Sequence, residues 1–139
     1  MLIKLSANVM ALFVVAILQP ANNSTQDSNP YIEEHPEDQY VQRHEPATIN
    51  CKAGGEPPPL ITWYRNGELV ITANDNPSSH RMLLPNGQLF FLRVIHSRGN
   101  ARTSDVGVYY CNATNPVTGA SAISRNASLL IASKSLVKV

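Results

Sequence analysis

No stretch of the 139-residue chain approaches the roughly 20 apolar residues that span a bilayer as a helix. The longest apolar run is residues 9–18 (VMALFVVAIL). Cysteine is scarce as well. Cys51 and Cys111 are the only two, which excludes a dense disulfide scaffold and a four-cysteine zinc site and leaves one disulfide or two thiols. Net charge is only +1, so the chain as a whole offers no argument for nucleic-acid binding. Acids are nearly absent from the second half: from His80 onward seven Lys or Arg stand against one acid, Asp105. Five of the ten acids (Glu33, Glu34, Glu37, Asp38, Glu45) instead fall within residues 31–45. That asymmetry leaves a basic surface open to a polyanionic partner. Catalytic signatures are missing too. His35, His44, His80 and His96 show no metal-ligand spacing, and there is no G-x-S-x-G, phosphate loop or carboxylate dyad. Glu33 and Glu34 are adjacent and are expected to point to opposite sides of a strand. Neither an enzyme, a metal site nor a cofactor is expected.

What is present begins with a leader. Lys4, the apolar run and small Ala21 mark residues 1–21 as a secretory signal peptide. The expected location is therefore extracellular, with no membrane span in this chain. In an oxidising compartment Cys51 and Cys111 are expected to pair. Sequons at Asn22, Asn23, Asn112 and Asn126 agree with export, whereas Asn76-Pro77-Ser78 is excluded by its proline.

Residues 22–30 (NNSTQDSNP) read as a flexible lead-in, 31–132 as one domain and 133–139 as a short tail. Short apolar runs recur between turn signals across the domain, without a sustained 3.6-residue period. TINCKA (48–53) alternates, and GGEPPP (54–59) breaks the pattern. LITWYR (60–65), the turn Asn66-Gly67 and residues 69–72 form a hairpin. A second hairpin joins 81–84 to 89–95 through Pro85-Asn86-Gly87. The last strands are 107–114 and 120–131. Many short strands without a helix predict an all-β sandwich.

A spaced set of residues makes this more specific. Trp63 follows Cys51 by twelve residues, and Asp105, Gly107 and Tyr109 precede Cys111 as D-x-G-x-Y-x-C. The pattern resembles the immunoglobulin domain: an all-β, intermediate-set, two-sheet sandwich with one inter-sheet disulfide, on which the tryptophan packs. Tyr109 then sits at the tyrosine corner, its hydroxyl bonded to nearby backbone. With Cys51 inward, Asn50 and Lys52 point outward. On the next strand Leu89, Phe91 and Val94 look like core, which turns Phe90 and Leu92 to solvent. Two large apolar side chains on an outer face, rimmed by Asn and Lys, read as a contact site.

Within that fold, Glu34-His35-Pro36, EPATINCK (45–52), SHRMLLP (79–85), QLFFLR (88–93) and SRNASL (124–129) resemble the first immunoglobulin domain of the roundabout axon-guidance receptors. The resemblance covers residues 31–132. It implies binding to the second leucine-rich-repeat domain of the secreted protein Slit, strengthened by heparan sulfate. Carried over position by position, the implied contact residues are Glu34, Asn50, Lys52 and Phe90, with Leu92 beside them. The polysaccharide residues would be Arg98 and Arg102, although Gly99 stands where the family commonly has a second basic residue. The competing expectation is a generic homophilic or heterophilic adhesion domain.

Overall fold

The computed structural model describes residues 27–133. The leader 1–21, the sequons at Asn22 and Asn23, and residues 134–139 of the tail lie outside the described residues. Eleven strands run in chain order: β1 (Ser28–Glu34), β2 (Gln39–Val41), β3 (Ala47–Ile49), β4 (Lys52–Glu56), β5 (Leu60–Arg65), β6 (Glu68–Leu69), β7 (Arg81–Leu83), β8 (Leu89–Phe91), β9 (Gly107–Thr114), β10 (Ser121–Ile123) and β11 (Ala127–Ile131). Among the described residues no helix occurs, as the missing helical period predicts. One layer has the order β2-β11-β9-β5-β6, with β10 also on β9. The opposite layer comprises β3-β8-β7 and the pair β1-β4. All pairs are antiparallel except β2 with β11.

The core lies where strand alternation puts it. Ile49, Leu89, Phe91, Val94, Tyr109, Cys111 and Leu129 are fully buried around Trp63. Cys51 and Cys111 form the disulfide, with a Cα–Cα distance of 6.5 Å across 60 residues of sequence. Closing a loop of that length stabilises the fold by roughly 4 kcal/mol in the chain-entropy account. Trp63 lies opposite Cys111 on the paired strand, and its Nε1 donates to the Gly87 carbonyl at 2.8 Å. Gly87 has φ +94°, and a Cβ there would come within 2.9 Å of Ile61. Only glycine fits that turn without strain.

Tyr109 forms the expected corner: its hydroxyl donates to the Asp105 carbonyl at 2.6 Å. Burial pushes that hydroxyl far above the ordinary tyrosine range, with Arg81 opposing the shift. Asp105 itself is wholly buried and does more than mark a motif. Its Oδ1 accepts from Arg81 Nε at 2.7 Å, and its Oδ2 accepts the Ile95 N–H at 2.7 Å. His80 Nε2 lies 2.8 Å from the same Oδ2. A dry carboxylate persists only with partners of this kind.

Several boundaries differ from expectation. The lead-in ends early, because Ser28–Pro30 already belong to β1: Ser28 pairs with Glu56, and its Oγ accepts the Glu56 N–H at 2.8 Å. The alternating run 48–53 is split between β3, which pairs with β8, and β4, which pairs with β1. Gly54 and Gly55 extend β4 rather than breaking it, since Tyr31 lies over Gly54 and a Cβ there would meet its ring at 2.5 Å. Of the run 69–72 only Leu69 is in a strand, the two-residue β6. The final run divides into β10 and β11 around Ser124, whose Oγ accepts the Cys111 N–H at 2.9 Å. β2, not expected at all, follows from pairing with β11.

Candidate functional site

Alternation along β3, β4 and β8 decides which side chains leave the core. Ile49 and Cys51 are buried, so Thr48, Asn50 and Lys52 face out. On β8 the buried Leu89 and Phe91 leave Phe90 on the outer side, and Leu92 just beyond is 52% exposed. Register sets these residues beside one another: Thr48 lies opposite Phe90, and Phe90 opposite Met82. Phe90 is therefore half buried between cross-strand neighbours rather than turned freely to solvent. Leu92 is the exposed member of the pair.

Glu34 reaches this face through an irregularity. Ile32 pairs with Ala53 and Glu34 with Lys52, so two steps of β1 pass one step of β4. That is a β-bulge at Glu33, and it resets the side-chain alternation. Without it Glu34 would share the inward side of Ile32, which packs on the core. The two glutamates consequently do not diverge as expected, because both border Lys52. Lys52 Nζ lies 3.2 Å from Glu33 Oε2. Glu34 lines a depression of about 350 Å³ with Asn50, Lys52 and Gln88. The ion pair is exposed, so its energetic worth is below about 1 kcal/mol. Its effect is to hold the Lys52 head on this face.

Two further contacts order the rim. Gln88 Nε2 donates to Asn50 Oδ1 at 2.6 Å, and the Tyr31 hydroxyl donates to Glu33 Oε1 at 3.4 Å. Tyr31, Glu33 and Gln88 escaped the sequence reading. Gln88 alone had a usable signal: two residues before Phe90, it shares that outward parity. Tyr31 and Glu33 depend on the bulge, which pattern alone does not reveal.

The basic residues after β8 do not gather as one cluster. Arg98 is exposed, and Gly99 beside it stands in open space. His96 lies 3.3 Å from Ser104 Oγ, and its carbonyl accepts from Arg43 Nη2 at 2.9 Å. Arg102 instead borders a cavity of about 220 Å³ that includes Arg65 and Arg81 but not Arg98. Of the sequons, Asn126 is exposed between β10 and β11, whereas Asn112 on β9 is half buried with Oδ1 shielded and unpartnered. Among the described residues no helix is long and apolar enough to cross a membrane.

A two-layer sandwich bridged between its layers, with a strand tryptophan on the bridge and a tyrosine corner, is the architecture of immunoglobulin domains. Comparison with known proteins agrees. The immunoglobulin domain family model matches residues 29–115. Roundabout homolog 1 of Homo sapiens is 53% identical over 107 residues, which is 77% of this chain and 6% of that protein. Roundabout homolog 2 of Homo sapiens is 52% identical over 107 residues, 77% of this chain and 8% of that protein. The crystal structure of a titin M10–obscurin-like 1 immunoglobulin complex superposes with a TM-score of 0.62 at 24% identity, covering 77% of this chain and 96% of that one, and shows the fold alone. The chain thus spans less than a tenth of the length of the roundabout relatives it matches. These are non-enzymatic adhesion and receptor proteins. The chain belongs to the immunoglobulin domain family, and its domain is of the roundabout kind.

Proposed function

We propose that the chain supplies the extracellular ligand-binding immunoglobulin module of a roundabout-like axon-guidance receptor, as a fragment or a secreted short form. Its partner in this reading is a Slit-like leucine-rich-repeat protein, with heparan sulfate assisting. One observation carries the reading. Glu34, Asn50 and Lys52 line one depression on the outer face, Phe90 continues that face by register, and Leu92, two residues on, is exposed beyond the strand end. Phe90 and Leu92 would form the apolar anchor, a class of contact worth about 2 kcal/mol or more when desolvated. Glu34, Asn50 and Lys52 would set register and association rate, the usual contribution of charged rims.

The test is surface-plasmon-resonance binding of the oxidised chain to the second repeat domain of Slit, with Phe90→Ala in parallel. Saturable binding that weakens at least tenfold in the variant, about 1.4 kcal/mol, is the expected result. No binding by a folded wild type would sink the assignment.

A second reading, homophilic or heterophilic adhesion, has its own support on the opposite layer. Tyr40 lies opposite Leu130, and Tyr64 opposite Tyr110, on that outer surface. Tyr40 is 68% exposed and Val108 40%, and the Tyr64 and Tyr110 rings stack at 5.1 Å. Dimerisation that rises with concentration in the absence of Slit, measured by analytical ultracentrifugation, would favour it.

A further inference from the structure

Asn112, Ala113 and Thr114 form one of the sequons, and the strand that carries them decides where it points. On β9 the side chains of Tyr109, Cys111 and Ala113 are buried, so Tyr110, Asn112 and Thr114 share the outer face. Successive members of that row stand about 7 Å apart along the strand. An aromatic ring thus precedes the acceptor asparagine and the sequon hydroxyl follows it, all on one side of the sheet. Across the sheet Asn112 lies between Thr62 on β5 and Ile123 on β10. Tyr64 backs the Tyr110 ring, stacked on it at 5.1 Å with an interplanar angle of 6°.

Two further features of this face call for a polar occupant. Asn112 Oδ1 is shielded and has no partner, which leaves the amide nitrogen as the outer atom of the group. That nitrogen is the one to which a sugar is attached at a sequon. In addition, the outward positions of β5, β9, β10 and β11 carry no charged side chain. Leu60 and Ile123 on this face are 62% and 61% exposed. An uncharged, partly apolar sheet face is a surface that something else covers. A glycan rooted in its middle supplies the hydration that its own side chains do not.

We propose that Asn112 carries an N-linked glycan whose first sugar packs against Tyr110. In the transfer, Asn112 Nδ2 forms a bond to the anomeric carbon of an N-acetylglucosamine. That carbon's bond to the diphosphate of a lipid-linked oligosaccharide breaks, and the amide gives up one proton as the lipid diphosphate leaves. The chain is modified before it folds, so the folded domain needs only an exit for the sugar, and a half-buried side chain on an outer face provides one. The hydrogen-bearing side of a sugar ring is apolar and slightly positive, and the face of an aromatic ring is negative, so the two attract. The inference rests on the extracellular placement proposed above, because the transferase works in the secretory lumen. It goes beyond that placement by covering the ground around Tyr64 and Tyr110 on which the adhesion reading relies.

The experiment expresses the full chain with its own leader in cultured animal cells and collects the medium. Peptide N-glycosidase in heavy-oxygen water then converts each glycosylated asparagine to a mass-marked aspartate, which peptide mass spectrometry locates. The expected result is marking at Asn112 in most chains, lost in Thr114→Val while marking at Asn126 is unchanged. The sugar contact is read from melting temperatures of the secreted wild type, Asn112→Gln, Tyr110→Thr and the double variant. Asn112→Gln should lower the midpoint by about 3 °C or more in the wild-type background, and by less than half as much beside Tyr110→Thr. Equal losses in the two backgrounds would overturn the packing on Tyr110 and leave the site standing. A secreted chain marked at Asn126 but not at Asn112 would overturn the site and leave the extracellular placement intact. A chain retained inside the cell with no sequon marked would overturn both.

Discussion

Phe90 and Phe91 are neighbours on β8 with the same side chain and opposite circumstances. Phe91 is fully buried and meets the Tyr109 ring edge-on at 5.8 Å. Phe90 lies on the outer side, opposite Thr48 and Met82. The contrast extends to the two faces of the layer they share. The inner face is held by close packing, a covalent bridge and a buried carboxylate with its partners. The outer face is organised by hydrogen bonds and one exposed ion pair, each weak, around a depression open to water. One face fixes the fold and the other presents chemistry, and a single strand serves both because its side chains alternate.

Substitutions can break this division at graded strengths. The largest effect is expected at Asp105. Asp105→Ala would leave Arg81 buried without its carboxylate, and removing one member of such a pair typically costs about 3–5 kcal/mol. Urea unfolding should show the drop, or the protein should fail to fold. Phe91→Ala should cost a similar amount, about 3–5 kcal/mol, by leaving a cavity against Tyr109. Phe90→Ala is the decisive contrast. Its stability should fall by less than half as much, while Slit binding weakens at least tenfold, so the two phenylalanines separate on two different readouts.

Tyr109→Phe removes one buried hydrogen bond and should cost about 1 kcal/mol at neutral pH. It should also alter the alkaline limb. Burial raises the Tyr109 hydroxyl in the folded chain, so the unfolded chain loses this proton first. The contribution is whole below the ordinary tyrosine value of about 10 and declines above it, by up to about 1.4 kcal/mol per pH unit. Stability profiles of wild type and Tyr109→Phe should converge as pH rises past that point. The smallest effect belongs to the outer face. Glu33→Gln frees the Lys52 head and should change stability by less than about 0.5 kcal/mol, while the salt dependence of the association rate shifts measurably.

The same division explains what could be read from the sequence. Cys51, Trp63, Asp105 and Tyr109 fix the fold because each needs its own type at its own spacing. The parity of β8 separates Leu89 and Phe91 from Phe90 without any structure. Features set by partners distant in the chain were not legible. The His80 and Arg81 contacts to Asp105 cross about two dozen residues. β2 exists through its pairing with β11, and the link before it reinforces that strand: Asp38 Oδ1 accepts the Ser128 N–H at 2.7 Å, and His35 Nδ1 accepts the Arg125 N–H at 2.9 Å. The bulge at Glu33 is likewise a property of two strands, and alternation read along one strand turns Glu33 and Glu34 apart.

The disulfide has a mechanical consequence. Asn50 and Lys52 flank Cys51, so a pull applied to either side chain reaches a bridged residue within one peptide unit. From there the load crosses by a covalent bond to Cys111 in the middle of β9, the strand that carries β5 on one side and β11 on the other. Tension on this face is thus delivered to the best-supported strand of the opposite layer, bypassing the short three-residue ladder between β3 and β8. A load applied at the depression therefore reaches the opposite layer through a covalent bond rather than through strand pairing alone.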